Sequence, residues 1–152
     1  MDPKTTRSLV QTLLRTTRFG DLTVDEQRLF TFEDGLPGFP HATRFLAMHV
    51  EDDPDLYWLQ SVDDGSLAFL AIVPWHHFPD YEPVLADEDR RRLELVEADE
   101  AMVLCILTID REQDIVSANL LGPVVLNTAR RLGRQVVLAD AQLPLAARLG
   151  VA

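Results

Sequence analysis

The run Leu67–Val73 (LAFLAIV) carries no polar side chain, and it follows an aromatic-rich run, Tyr57–Val62, across Asp63-Asp64-Gly65-Ser66. Both runs are short and rich in aromatic and β-branched residues, so together they predict a β-hairpin. The Asp side chains suit the turn because they bond the local backbone, and Gly65 is free to take a positive φ there. A strand that never alternates with polar residues must be covered on both faces. Pro74 then ends it, having no N–H to give a ladder.

The rest of the chain reads the same way. A first hairpin is expected from Leu13–Phe19 and Leu22–Val24 about Gly20-Asp21, then a strand at Leu29–Phe32, a turn-rich connector Glu33–Pro40 and a strand at Arg44–Val50. Glu51–Asp55 is an acidic loop. Asp87–Leu95 predicts the one short helix: its acids come first and its arginines later, which suits the helix dipole, and Leu93 and Val96 are expected to pack on the body. Met102–Ile109 is a further apolar strand, Val116–Leu126 a long one interrupted at Gly122-Pro123, and Gln135–Leu138 a last one. Repeated short strands with turns between them predict an all-β, mainly antiparallel fold, a small β-barrel-like or sandwich domain with one short helix. Residues 1–152 are expected to form one domain, with 1–10 as a loose N-terminal extension.

Charge and composition exclude several functions. The formal net charge of −11 is uneven: residues 1–20 hold four basic and one acidic side chain, 21–89 hold two and sixteen, and 90–152 hold eight of each. A nucleic-acid binder needs the opposite, because cations that neutralise phosphates supply most non-specific affinity. The acidic block suits solubility, or an encounter with a basic protein. No apolar run approaches the roughly 18 to 20 residues of a membrane span and no signal-peptide block opens the chain, so a cytoplasmic protein without membrane contact is expected. Cys105 sits in an apolar strand, where a thiol behaves as a small hydrophobe.

The chain offers little to catalysis. His76, His77 and Asp80 are the best metal-ligand candidates, but neighbouring side chains on an extended segment point to opposite faces. Asp63-Asp64 and Asp87-Glu88-Asp89 are accounted for by a turn and a helix start. No serine has a nucleophile-elbow setting, and Gly35-Leu36-Pro37-Gly38 lacks the Lys-Ser/Thr ending of a phosphate loop. No catalytic residue, cofactor or metal is therefore expected. The alternatives to a binding protein are a ligand-binding barrel with an apolar cavity, or a small-barrel hydrolase using His76 or His77.

The remaining feature is the segment from Pro74 to Pro83. Trp75, Phe78 and Tyr81 are stiffened by Pro74, Pro79 and Pro83 and lie beside Asp80 and Glu82. They suit either the cap of an open barrel end or a partner surface, where aromatic anchors carry the energy and a charged rim sets specificity. Asn119 and Asn127 lie in or beside apolar strands, where an amide must be hydrogen-bonded, and a strand-edge amide can also meet a partner. The candidate partner residues are Asp63, Asp64, Trp75, Phe78, Pro79, Asp80, Tyr81, Asn119 and Asn127.

Four stretches in one order carry a family resemblance: Phe32–Phe39 (FEDGLPGF), Tyr57–Asp64 (YWLQSVDD), Phe78–Tyr81 (FPDY) and Ala118–Thr128 (ANLLGPVVLNT), with Gly133–Leu138 closing. In these the chain resembles the FliW family from about Thr17 to Leu145. The resemblance implies a non-enzymatic flagellar assembly factor with a small barrel-like fold. It further implies binding to flagellin and to the RNA-binding translational regulator CsrA in exchange, which relieves repression of flagellin mRNA. Separately, the protein is expected to be a monomer when free. The chain departs from the family in residues 1–10, in Trp75-His76-His77, and in lacking an aromatic residue before Pro144-Leu145.

Overall fold

The computed structural model describes residues 11–96, 101–140 and 142–149. The extension 1–10 and Ala141 of the closing segment therefore lie outside the described residues. The strands are β1 (Gln11–Thr16), β2 (Gly20–Asp25), β3 (Phe30–Thr31), β4 (Arg44–His49), β5 (Leu56–Ser61) and β6 (Ala68–Ile72). After the helix α1 (Asp87–Arg92) come β7 (Ala101–Asp110), β8 (Ile115–Ala118), β9 (Val124–Asn127), β10 (Leu132–Gln135) and β11 (Ala147–Arg148).

The ladder closes on itself. It runs β7, β6, β5, β4, β3, β10, β9 and back to β7, and its pairings are antiparallel except the one that joins β3 to β10 through Thr31 and Leu132. A barrel of this kind leaves no edge within the ring. Its interior is filled by Phe30, Phe32, Phe45, Leu59, Ala71, Leu104, Val124 and Leu126, with the Phe32 and Phe45 rings edge to face at 5.0 Å.

The unbroken apolar runs follow from a second layer outside this wall. Ala71, Leu104 and Val124 face the interior, whereas their neighbours Ile72, Val103, Cys105 and Val125 face a second core with Tyr81, Leu93, Leu120, Val136 and Leu138. Alternate side chains of a strand point to opposite faces, so strands covered on both sides lose the polar half of their pattern. The 74–86 segment and α1 provide that cover through Tyr81 and Leu93. On the opposite wall, Leu14 and Val24 of the β1–β2 hairpin pack with Leu29 against Leu46 and Val62.

Several boundaries differ from expectation. The first hairpin turns at 17–19 rather than at Gly20-Asp21, because the Thr16 hydroxyl donates to the Gly20 carbonyl and accepts from the Phe19 N–H, closing the loop early. Gly65 is required by space, not by a positive φ: a Cβ there would lie 1.9 Å from the Arg15 carbonyl oxygen. The long strand expected over 116–126 is two strands, pairing with separate halves of β7. The helix stops at Arg92, and Glu94 at φ +53° redirects the chain, so Leu93 is buried but Val96 is 86% exposed.

Candidate partner-binding surface

The segment after β6 is shaped by its own hydrogen bonds. Pro74 starts a single 3₁₀ turn, and its carbonyl accepts from the N–H of both His77 and Phe78, at 3.1 and 2.8 Å. The Trp75 indole N–H donates to the Tyr81 carbonyl at 2.8 Å, which folds the segment back on itself. The Tyr81 hydroxyl in turn donates to the Leu120 carbonyl at 2.6 Å and ties the loop to the chain beyond β8. Tyr81 is thus an internal anchor rather than a contact residue, and burial, reinforced by Cys105, pushes its phenol pKa up.

What this framework presents outward is Trp75, 41% exposed, with Pro79 and Asp80 exposed and Phe78 half-buried. Trp75 also lines a groove of about 580 Å³ whose apolar walls include Val84, Leu95 and Val96. Val84 and Val96 are exposed apolar residues that sequence reasoning missed as site candidates. Val84 follows Pro83 in a coil with no periodic signal, and Val96 is expected from the helix pattern to be packed, so only the fold brings them beside Trp75.

The other candidates do not join this surface. Asp63 accepts from the Thr43 and Arg44 N–H groups at 2.9 and 3.0 Å, tethering the β5–β6 turn to β4. Asp64 accepts from the Ser66 N–H and hydroxyl, which lowers its pKa, and stays exposed. Asn119 is half-buried and accepts from the Gly122 N–H. Asn127 is fully buried: its amide donates to the Leu93 and Glu94 carbonyls and accepts from Ala129 and Arg130, leaving nothing for a partner.

The histidines do not form a centre. His76 lies 3.9 Å from Asp55, and the His76 and His77 rings stand 5.3 Å apart. Among the described residues no group of three His, Cys, Asp or Glu side chains could hold a metal ion. A small pocket of about 330 Å³ beside the 33–40 loop is crossed by ion pairs: Arg134 donates to Asp89 and Asp34, both at 2.8 Å, and Arg92 approaches Glu33. Asp89 foremost, and Asp34 after it, hold the Arg134 guanidinium charged against its partial burial. These paired charges hold α1 and the loop to β10.

Cys105 gives a direct check on the second core. It is fully buried, and burial pushes its thiol pKa up to about 12, against a small opposing effect of the Tyr81 hydroxyl. It is therefore neutral through pH 8, and alkylating reagents need the thiolate. Iodoacetamide should leave the native protein unmodified and label it stoichiometrically in denaturant, as read by intact mass.

The chain is thus a closed barrel with a stiffened aromatic loop outside its wall and charged clusters around Arg134 that hold the fold together. A family model described as "FliW protein" matches residues 12–149, and the chain belongs to the FliW family. It is 38% identical to the "Flagellar assembly factor FliW" of Caldicellulosiruptor saccharolyticus over 89% of this chain and 88% of the relative. It is 40% identical to that of Natranaerobius thermophilus, over 79% and 80%. A solved structure, "Crystal structure of the flagellar assembly factor FliW", superposes with a TM-score of 0.85 at 32% identity, covering 93% of this chain and 99% of that one. The protein is accordingly a flagellar assembly factor and not an enzyme. Among the described residues no helix is long and apolar enough to cross a membrane.

Proposed function

We propose that this flagellar assembly factor is a cytoplasmic, monomeric adaptor that binds flagellin and a CsrA-type RNA-binding regulator in exchange. When flagellin has been exported, the freed adaptor binds the regulator and relieves repression of flagellin mRNA. The observation that carries this reading is the outward face of the 75–80 loop, where Trp75 stands 41% exposed beside Phe78, Pro79 and the exposed carboxylate of Asp80. An aromatic anchor with an acidic neighbour suits a partner with basic surface, which an RNA-binding regulator must carry.

The test is a three-component titration by calorimetry. The regulator should bind the purified protein more tightly at low salt than at high salt, and flagellin added to the preformed complex should release it. Trp75→Ala should weaken at least one of the two partners by about ten-fold, or ~1.4 kcal/mol. Failure of either partner to bind at low ionic strength, or a stable ternary complex, would count against exchange.

A further inference from the structure

The strand that closes the barrel continues past its regular end. β10 pairs with β9 so that Gln135 faces Val124. The same register carries on as the Val136 N–H donates to the Pro123 carbonyl at 2.9 Å and the Leu138 N–H to the Leu121 carbonyl at 2.9 Å. In an antiparallel pair, bonds on one side come from alternate residues, so the N–H and carbonyl of Val137 point to the other side. Neither finds a partner among the described residues, and the Val137 side chain is 72% exposed.

Val137 also lines a groove together with residues of the 80–86 segment. The groove, of about 560 Å³, separates 137–140 from 80–86, with Leu85, Leu138 and Leu143 among its apolar lining and Val84, 79% exposed, on its lip. Three carboxylates, Asp80, Glu82 and Asp140, also line it, and among the described residues no lysine or arginine does. Asp140 accepts from the Gln142 N–H; among the described residues none of the three has a cationic partner. Unlike Asp34 and Asp89, both neutralised by Arg134, these three carboxylates leave the negative charge of the groove uncompensated.

We propose that this groove docks an extended segment of a protein partner, one that alternates apolar residues with lysine or arginine and adds as a strand to the Val137 edge. Backbone hydrogen bonds to a free edge supply affinity in such additions, and side-chain pockets supply specificity. The segment's apolar face would meet Val84 and Leu85, while its cations would meet Asp80, Glu82 and Asp140. The inference rests on reading the chain as a partner-binding protein, but it needs neither flagellin nor a regulator for its test, so its failure leaves that reading standing.

The probe is a short fluorescent peptide alternating valine and lysine, titrated against the full chain by anisotropy. It should bind at low salt, weaken as salt is raised, and lose ten-fold or more with the double substitution Asp80→Lys and Glu82→Lys. Val137→Pro, which removes the free N–H at an edge position that tolerates proline, should cause a similar loss, as should N-methylation of alternate peptide residues. Circular dichroism and the thermal midpoint verify that each variant is folded. The proposal is overturned by no binding at low salt or by equal binding of a valine–glutamate peptide. It is also overturned by equal binding of a peptide of the same composition arranged for a helix, or by a concentration-dependent dimer that Val137→Pro abolishes, which would make a second copy the occupant.

Discussion

Replacing Asn127 by alanine should cost about 2–3 kcal/mol of stability, because its fully buried amide satisfies four backbone groups, the carbonyl of buried Leu93 among them. The Leu93 and Glu94 carbonyls at the end of α1 would lose their donor, and the Ala129 and Arg130 N–H groups of the β9–β10 turn their acceptor. Orphaned buried groups cost more than a hydrogen bond between exposed groups contributes. Asn127→Asp should be worse than alanine at neutral pH, since a buried carboxylate would face two carbonyl oxygens. It should recover in acid, where the protonated form again offers a donor. Urea denaturation across pH tests both variants; an alanine protein within about 0.5 kcal/mol of the parent, the range of ordinary surface substitutions, would show that the clamp is dispensable.

Gly133→Ala is the second large effect expected. A Cβ at this position would lie 2.3 Å from Cε1 of Phe32 and 2.9 Å from Cδ2 of Leu126, both belonging to the barrel interior. Phe32 is 1% exposed and packed edge to face on Phe45, so it has nowhere to retreat. Overpacking of this kind costs roughly 1–3 kcal/mol and occasionally more. At about 2–4 °C per kcal/mol for a chain of this size, a loss near 3 kcal/mol would lower the thermal midpoint by roughly 6–12 °C. Phe32→Leu in the same chain would vacate part of that space and should recover some of the loss; no recovery would place the clash elsewhere.

The strands are legible because their cause is local: Leu67–Val73 and Met102–Leu107 are unbroken apolar runs, with Ala71 and Leu104 in the barrel interior and Ile72, Val103 and Cys105 in the second core, whereas Ile109, expected in the same apolar strand, is 50% exposed. The short helix was visible from the order of its charges, but its end was not, since Glu94 takes a positive φ that no residue preference announces. Gly65 illustrates a different gap. Its turn was readable, yet the reason only glycine fits is the Arg15 backbone, which reaches it through a separate hairpin. The surface was legible in part. Trp75, Phe78, Pro79 and Asp80 share one loop in sequence and in space, whereas Val84, Val96 and Val137 become candidates only when tertiary contacts leave them uncovered. Asn127 was read as a hydrogen-bonded amide, but its four partners lie in α1's exit and the next turn, so sequence could not show that its capacity was spent.

The way the barrel is closed sets the order in which it can form. Hairpins β4–β5 and β5–β6 join neighbouring strands, and such local pairings form on the microsecond scale, about 1–10 μs. The seam between β3 and β10 is different: Asp34 and Arg134, which meet beside it, are 100 residues apart. Loop closure over that distance precedes any reward from contact, which places this fold among slower two-state folders. During synthesis β3 can pair with β4 at once, but the pairing of Thr31 with Leu132 and the packing of Phe32 on Gly133 cannot form until β10 has left the ribosome.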